Sequence, residues 1–254
     1  MELETIRSAG QRMQDILGLS APPIGVSFLT DAPAPEMARP LTQHRFCQAL
    51  MRARHGEIVS LDAAGIACPA AAAAFGFRPL PEGLKNGKGL VGFGITRDDS
   101  VGRYMFEAMP QLAPGQIKSL LVFPLTAAPA VPDVIVVEDE TEKLMWINLA
   151  YLNVMGGQRL SASTAVLQAT CVDAAIIPFQ EQRLNFSFGC YGCRDATDLA
   201  SSETVLGFSV NYLAGIVKHL EYLSQKAMPT SRAKKAYAAM SAKQALTDSE
   251  GVIA

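Results

Sequence analysis

The chain has 254 residues, with 22 Lys and Arg against 24 Asp and Glu, a net charge of −2, and 49 % hydrophobic residues. That size is one large domain or two small ones with a substantial core. The near-neutral balance points away from nucleic acid and anionic membranes as partners, and no run approaches the roughly 18 uninterrupted apolar residues of a membrane span.

The opening "MELETIRSAGQRMQDILGL" is acidic and amphipathic and lacks a basic segment followed by an apolar block, so it is not a secretory signal. A cytoplasmic protein is expected. In that reducing compartment cysteines serve as metal ligands, catalytic thiols or buried small hydrophobes more often than as disulfides. Residues 3–18 recur at helical spacing and stop at Pro22 and Pro23. "IGVSFL" (24–29) reads as a buried strand, and the proline-rich "TDAPAPEMARP" as loop. A helix is predicted over 41–56, closed by Gly56, then a short strand "EIVSLD" and an Ala-rich helix opened by Pro69. The Gly- and Pro-punctuated 78–94 predicts loop with short strands, and 103–109 a short helix. Strands are predicted at 116–125 and 131–139, a helix at 140–153, and loop then helix over 156–180, halted near Pro178. "RLNFSFG" (183–189) alternates like a strand, and 203–228 reads as a helix broken near Gly207. These elements predict an α/β (or α+β) fold, a mixed sheet flanked by helices. They group into one domain over 1–225, with halves at 21–110 and 116–225, and a peripheral helix or tail over 226–254.

Each half carries the same pattern of helix, strand and then a thiol just past the strand end. Cys47 and Cys68 bracket it in the first half and Cys171 and Cys190 in the second, 21 and 19 positions apart. A weak internal repeat with a pseudo-twofold axis would gather these four thiols. Cys68 precedes Pro69 at a helix start, where the macrodipole favours thiolate. Cys-Pro also closes the cysteine runs of bacterial ferredoxins. Cys190 and Cys193 form a CxxC in a turn shaped by Gly189 and Gly192, with Arg194 next to them to favour thiolate or hold an anion. A single CxxC and three scattered histidines disfavour a tetrahedral zinc site.

Three readings follow. Four dispersed thiolates suit an iron–sulfur cluster, [4Fe–4S] by ligand count, with a role in redox chemistry or in anaerobic metabolism. Arg45 and Arg194 would then tune the cluster or hold a small anionic ligand. Alternatively, Cys190 and Cys193 act alone as a thiol–disulfide oxidoreductase or redox sensor. The third reading is a non-enzymatic haem or small-anion binder with Cys68 as axial ligand. A redox partner and a homo-oligomer are compatible with the first two.

The segments "RFCQAL", "GIACPAA", "VPDVIVV", "ATCVDA" and "FGCYGCRDATDL" resemble the domain of unknown function 169 family of bacteria and archaea, from about Pro22 to Leu220. The resemblance implies single cysteines at Cys47, Cys68, Cys171 and Cys190 and a closing GCxGxR at Gly189, Cys190, Gly192 and Arg194. Cys193 falls on a variable position of that pattern. The resemblance thereby favours the cluster set Cys47, Cys68, Cys171 and Cys190 over the CxxC, and brings no reaction with it.

Overall fold

The computed structural model describes residues 2–31 and 33–250. Ala32, inside the proline-rich loop, and the last four residues of the predicted tail lie outside the described ones. In chain order the elements are α1 (Leu3–Leu17), β1 (Ile24–Leu29), β2 (Arg39–Pro40), α2 (Phe46–Arg54), β3 (Val59–Asp62) and α3 (Pro69–Ala74). Next come α4 (Glu82–Lys85), α5 (Lys88–Gly92), α6 (Asp99–Glu107), β4 (Ser119–Pro124), β5 (Val134–Glu140) and α7 (Thr141–Val154). A π-helix (Ala169–Ile176) runs into α8 (Ile177–Glu181), followed by β6 (Asn185–Ser187), α9 (Tyr191–Ala196), β7 (Glu203–Ser209) and α10 (Leu213–Gln225). Two further helices follow, α11 (Ala227–Arg232) and α12 (Lys235–Glu250). No described helix is long and apolar enough to cross a membrane.

The strands form one seven-stranded mixed sheet in the order β2-β3-β4-β1-β5-β7-β6, with β2 parallel to β3 and every other neighbour antiparallel. Helices cover both faces, so the class is α+β. Alternate side chains of each central strand feed two separate cores. Val26, Val122, Val134, Val136 and Val205 pack on one face, with α2, α3 and the π-helix. Phe123, Ile135, Val137, Leu206 and Phe208 pack on the other, with α1, α7 and α10. A sheet buried on both faces loses the apolar–polar alternation that marks a half-exposed strand.

That loss explains the main departure from expectation. The stretch 203–228 opens with β7, not helix: all seven of its residues are buried and paired with β5 from Glu203 to Ser209. A continuous apolar run fits either period, and here position between two strands decides. Gly207, expected to break a helix, is instead a close-approach residue. A Cβ there would overlap the carbonyl oxygen of Ala174, so glycine lets the π-helix backbone rest directly on β7. The predicted loop at 78–94 contains the two short helices α4 and α5. The helix predicted from residue 41 begins at Phe46, because Leu41 and His44 make backbone hydrogen bonds to Ser60 and Gly65. Pro178 does not halt its helix; it sits just past the junction where the π-helix passes into α8, which runs on to Glu181.

Candidate functional site

Four segments on one face of the sheet bring the cysteines into one neighbourhood. Cys47 is the second residue of α2, Cys68 caps the start of α3, and Cys171 lies in the π-helix. Cys190 is the N-cap of α9 and Cys193 its third residue. Cys47, Cys190 and Cys193 share a small buried cluster with Ala169. Cys68 is half-buried and packs against the larger core. Cys190 and Cys193 are joined as a disulfide, with Cα atoms 5.2 Å apart, while Cys47, Cys68 and Cys171 are free thiols.

This geometry overturns the expected [4Fe–4S] site on Cys47, Cys68, Cys171 and Cys190. Among the described residues, no three His, Cys, Asp or Glu side chains converge to hold a metal ion. Cys190 has Cys193, not a metal, as its sulfur partner. The physical reason is local. The CxxC at the head of α9 places its two sulfurs side by side as a pair, and Cys47, Cys68 and Cys171 stay outside it as free thiols. The residue set aside as variable, Cys193, is thus half of the sulfur pair.

The elements around the pair fix it from several sides. Gly189, at φ 86°, turns the chain from β6 into α9. The Cys190 sulfur accepts the Cys193 N–H at 3.1 Å, as an N-cap side chain does. Thr170 Oγ1, from the π-helix, lies 3.5 Å from the Cys193 sulfur. Arg45, at the start of α2, donates from Nη1 to the Gly192 carbonyl at 2.9 Å. Gln48 donates to the carbonyl of Ala196, at the other end of α9. Arg194 donates to three backbone carbonyls, those of Ala200, Phe188 and Glu203, at 2.6, 2.6 and 2.7 Å. Arg45 and Arg194 are thus both engaged with main-chain oxygens, Arg45 with that of Gly192 and Arg194 with those of Phe188, Ala200 and Glu203.

Two of the free thiols, Cys47 and Cys171, are held in their neutral form. Burial pushes the Cys47 thiol up to about 12, reinforced by the nearby charges of Glu138 and Cys68 and only partly opposed by Arg45. Burial raises Cys171 well above its ordinary value too, with Cys68, Cys47 and Asp173 adding to it.

Two polar groups beside this neighbourhood were not anticipated. Arg54, at the end of α2, is shared by three carboxylates: Glu203 at 3.2 Å, Glu138 at 3.5 Å and Asp198 at 3.6 Å. Burial lifts Glu138 to about 7 against the pull of Arg54, with Glu203 and Asp198 adding to the rise. Asp173, two residues beyond Cys171, is buried and accepts the hydroxyls of Thr164 and Ser187. The signal for both was an acidic residue inside an otherwise apolar run, "VIVVED" and "ATCVDAA".

Among protein families, the model of DUF169, described as an uncharacterised ArCR group, matches residues 12–219. No curated protein and no solved structure matches the chain.

Proposed function

The chain belongs to the DUF169 family, whose description carries no reaction, and from its site we propose a thiol–disulfide redox function for Cys190 and Cys193. The observation that carries this reading is the pairing of these two sulfurs at the head of α9 while every other cysteine stays a free thiol. The pair sits in a short turn rather than across the core, and closes a loop with a sequence separation of only 3. A structural staple gains most by closing a long loop, so this bridge is poorly placed to act as one. In the cytoplasm, where we place the protein, such a bridge persists as an exchanging pair.

The residues around the pair suit an exchange cycle. The Cys193 N–H donates to the Cys190 sulfur in the disulfide-bonded form, and the same contact kept on reduction would favour the Cys190 thiolate. That thiolate attacks one sulfur of a substrate disulfide; the substrate S–S bond breaks, one substrate sulfur leaves as thiolate, and a mixed disulfide forms at Cys190. Cys193 then loses its proton and attacks the Cys190 sulfur, with the Thr170 hydroxyl placed to donate to the developing Cys193 thiolate. The second substrate sulfur leaves, and both substrate thiolates take up protons. Two electrons pass from the chain's dithiol to the substrate disulfide, and the chain is left oxidised. A dithiol partner, protein or small molecule, restores the dithiol by the reverse steps. Cys47 stands beside the pair without competing, because its buried thiol stays protonated at neutral pH.

Thiol counting by alkylation and mass spectrometry tests the reading. The air-exposed protein should take up three labels when denatured and five after dithiothreitol, and equilibration with a dithiol/disulfide buffer should give one reversible two-electron transition. Cys190→Ser and Cys193→Ser should each abolish the transition, and Cys47→Ser should leave it. Five labels in the air-exposed protein, or a pair that never exchanges with dithiothreitol, would overturn the proposal.

A further inference from the structure

Behind the thiol neighbourhood, the π-helix lines a second feature. A cavity of about 280 Å³ opens between α6 and the π-helix. Its walls are mostly apolar, with Met105 and Met109 on one side and Leu167, Val172 and Ile177 on the other. Its polar floor is Asp173, beside Thr164 and Gln168. No Lys, Arg or His lines it among the described residues.

Asp173 is only 3 % exposed. Its Oδ2 accepts the Thr164 hydroxyl at 2.7 Å and the Ser187 hydroxyl at 2.8 Å, and the Ala165 N–H further favours its charged form. Among the described residues, the groups that interact with this carboxyl are neutral donors, and no cation lines the cavity to compensate its charge. A buried carboxylate without a counter-charge is costly, and a cation arriving from outside relieves that cost.

The backbone around the cavity is also unusual. Val166 and Gln168 have φ of 51° and 57°. A β-branched residue in the left-handed region is a true outlier, and such strain persists where the surroundings enforce a particular shape. Both lie in the segment that forms the cavity wall, and the wall continues into the π-helix, a winding that recurs at functional sites.

We propose that this cavity binds a small, mostly apolar molecule carrying a protonated amine, with the Asp173 carboxylate as its ionic partner. The volume lies near the lower end for ligand sites and admits only a small body. The methionines and aliphatic side chains accommodate an alkyl or aryl group. An anionic ligand would face Asp173 with no cation to offset it, and a neutral one would leave the charge uncompensated. The cavity shares no lining residue with the sulfur pair.

Benzylamine, benzyl alcohol and benzoate, titrated at pH 8 into the full chain and followed by ligand-observed NMR and calorimetry, test the inference. Benzylamine should bind at least about tenfold more tightly than the alcohol, as a charge-assisted contact provides, and benzoate most weakly. Asp173→Asn should reduce the amine to the level of the alcohol. Ala108→Trp fills the cavity from its exposed rim, leaves the carboxyl untouched, and should abolish amine binding. Equal binding of amine and alcohol, or an amine preference that survives Asp173→Asn, would overturn the proposal. If Asp173→Asn fails to fold, Ala108→Trp decides: undiminished benzylamine binding there would overturn it equally.

Discussion

Around the disulfide, single side chains set both the shape of the turn and its response to pH. Arg194 ties three carbonyls from three points of the chain, a planar fork that lysine cannot reproduce. Arg194→Ala should cost about 2 kcal/mol or more of unfolding free energy, as expected when several charge-assisted bonds to backbone oxygens are lost. Arg194→Lys should recover less than half of that loss in urea titrations. Glu138 gives a second, pH-dependent outcome. Its folded-state value of about 7 lies above the ordinary 4.5, so between those limits the native state holds more protons than the unfolded chain. Stability contributed by the protonated form is complete below about 4.5 and is lost as pH rises towards about 7. Asp173, raised to about 6 by burial, adds a loss of the same sign over a lower window. Urea midpoints measured from pH 5 to 8 should therefore fall with rising pH, and Glu138→Gln should flatten that slope. A midpoint that climbs across this range would contradict the assignment.

Among the elements, the contact between the π-helix and β7 controls how closely the thiol-bearing layer sits on the sheet. Gly207→Ala would drive a methyl group into the Ala174 carbonyl, backbone against backbone, and should destabilise the protein by roughly 2 kcal/mol or more. Thermal unfolding checks the loss, and the same substitution at Gly18, where nothing lies within 4 Å, serves as comparison for its positive φ alone. This is also where reading the sequence failed and succeeded for physical reasons. β1, flanked by Pro23 and loop, matches its predicted span from Ile24 to Leu29, and α1 nearly so, because stop signals and periodicity agree there. β7 was misassigned because burial on two faces erases the alternation that would have revealed it. The π winding has no local signature at all; it depends on the glycine opposite it, 33 positions away by the numbering of Ala174 and Gly207.

For the molecule as a whole, the cysteines and the arginines beside them were visible, but their partnership was not, nor were the buried Asp173 and the carboxylates around Arg54. Spacing alone suggested a four-thiol set, while the choice between that set and the CxxC pair depends on distances that only the packed helices define. Redox change should be gentle for the fold. Closing a loop this short contributes at most about 2 kcal/mol, so dithiothreitol should lower the urea midpoint slightly and leave unfolding cooperative. A collapse of structure on reduction would instead mark the bridge as a staple.

The order of the strands has one more consequence. The two outermost, β2 and β6, are also the shortest, with two and three residues, and β2 includes Pro40, which has no N–H to offer. The long apolar strands are all interior. A foreign strand approaching either rim finds only a few open backbone groups, so the protein's most aggregation-prone segments are shielded by its least extendable ones.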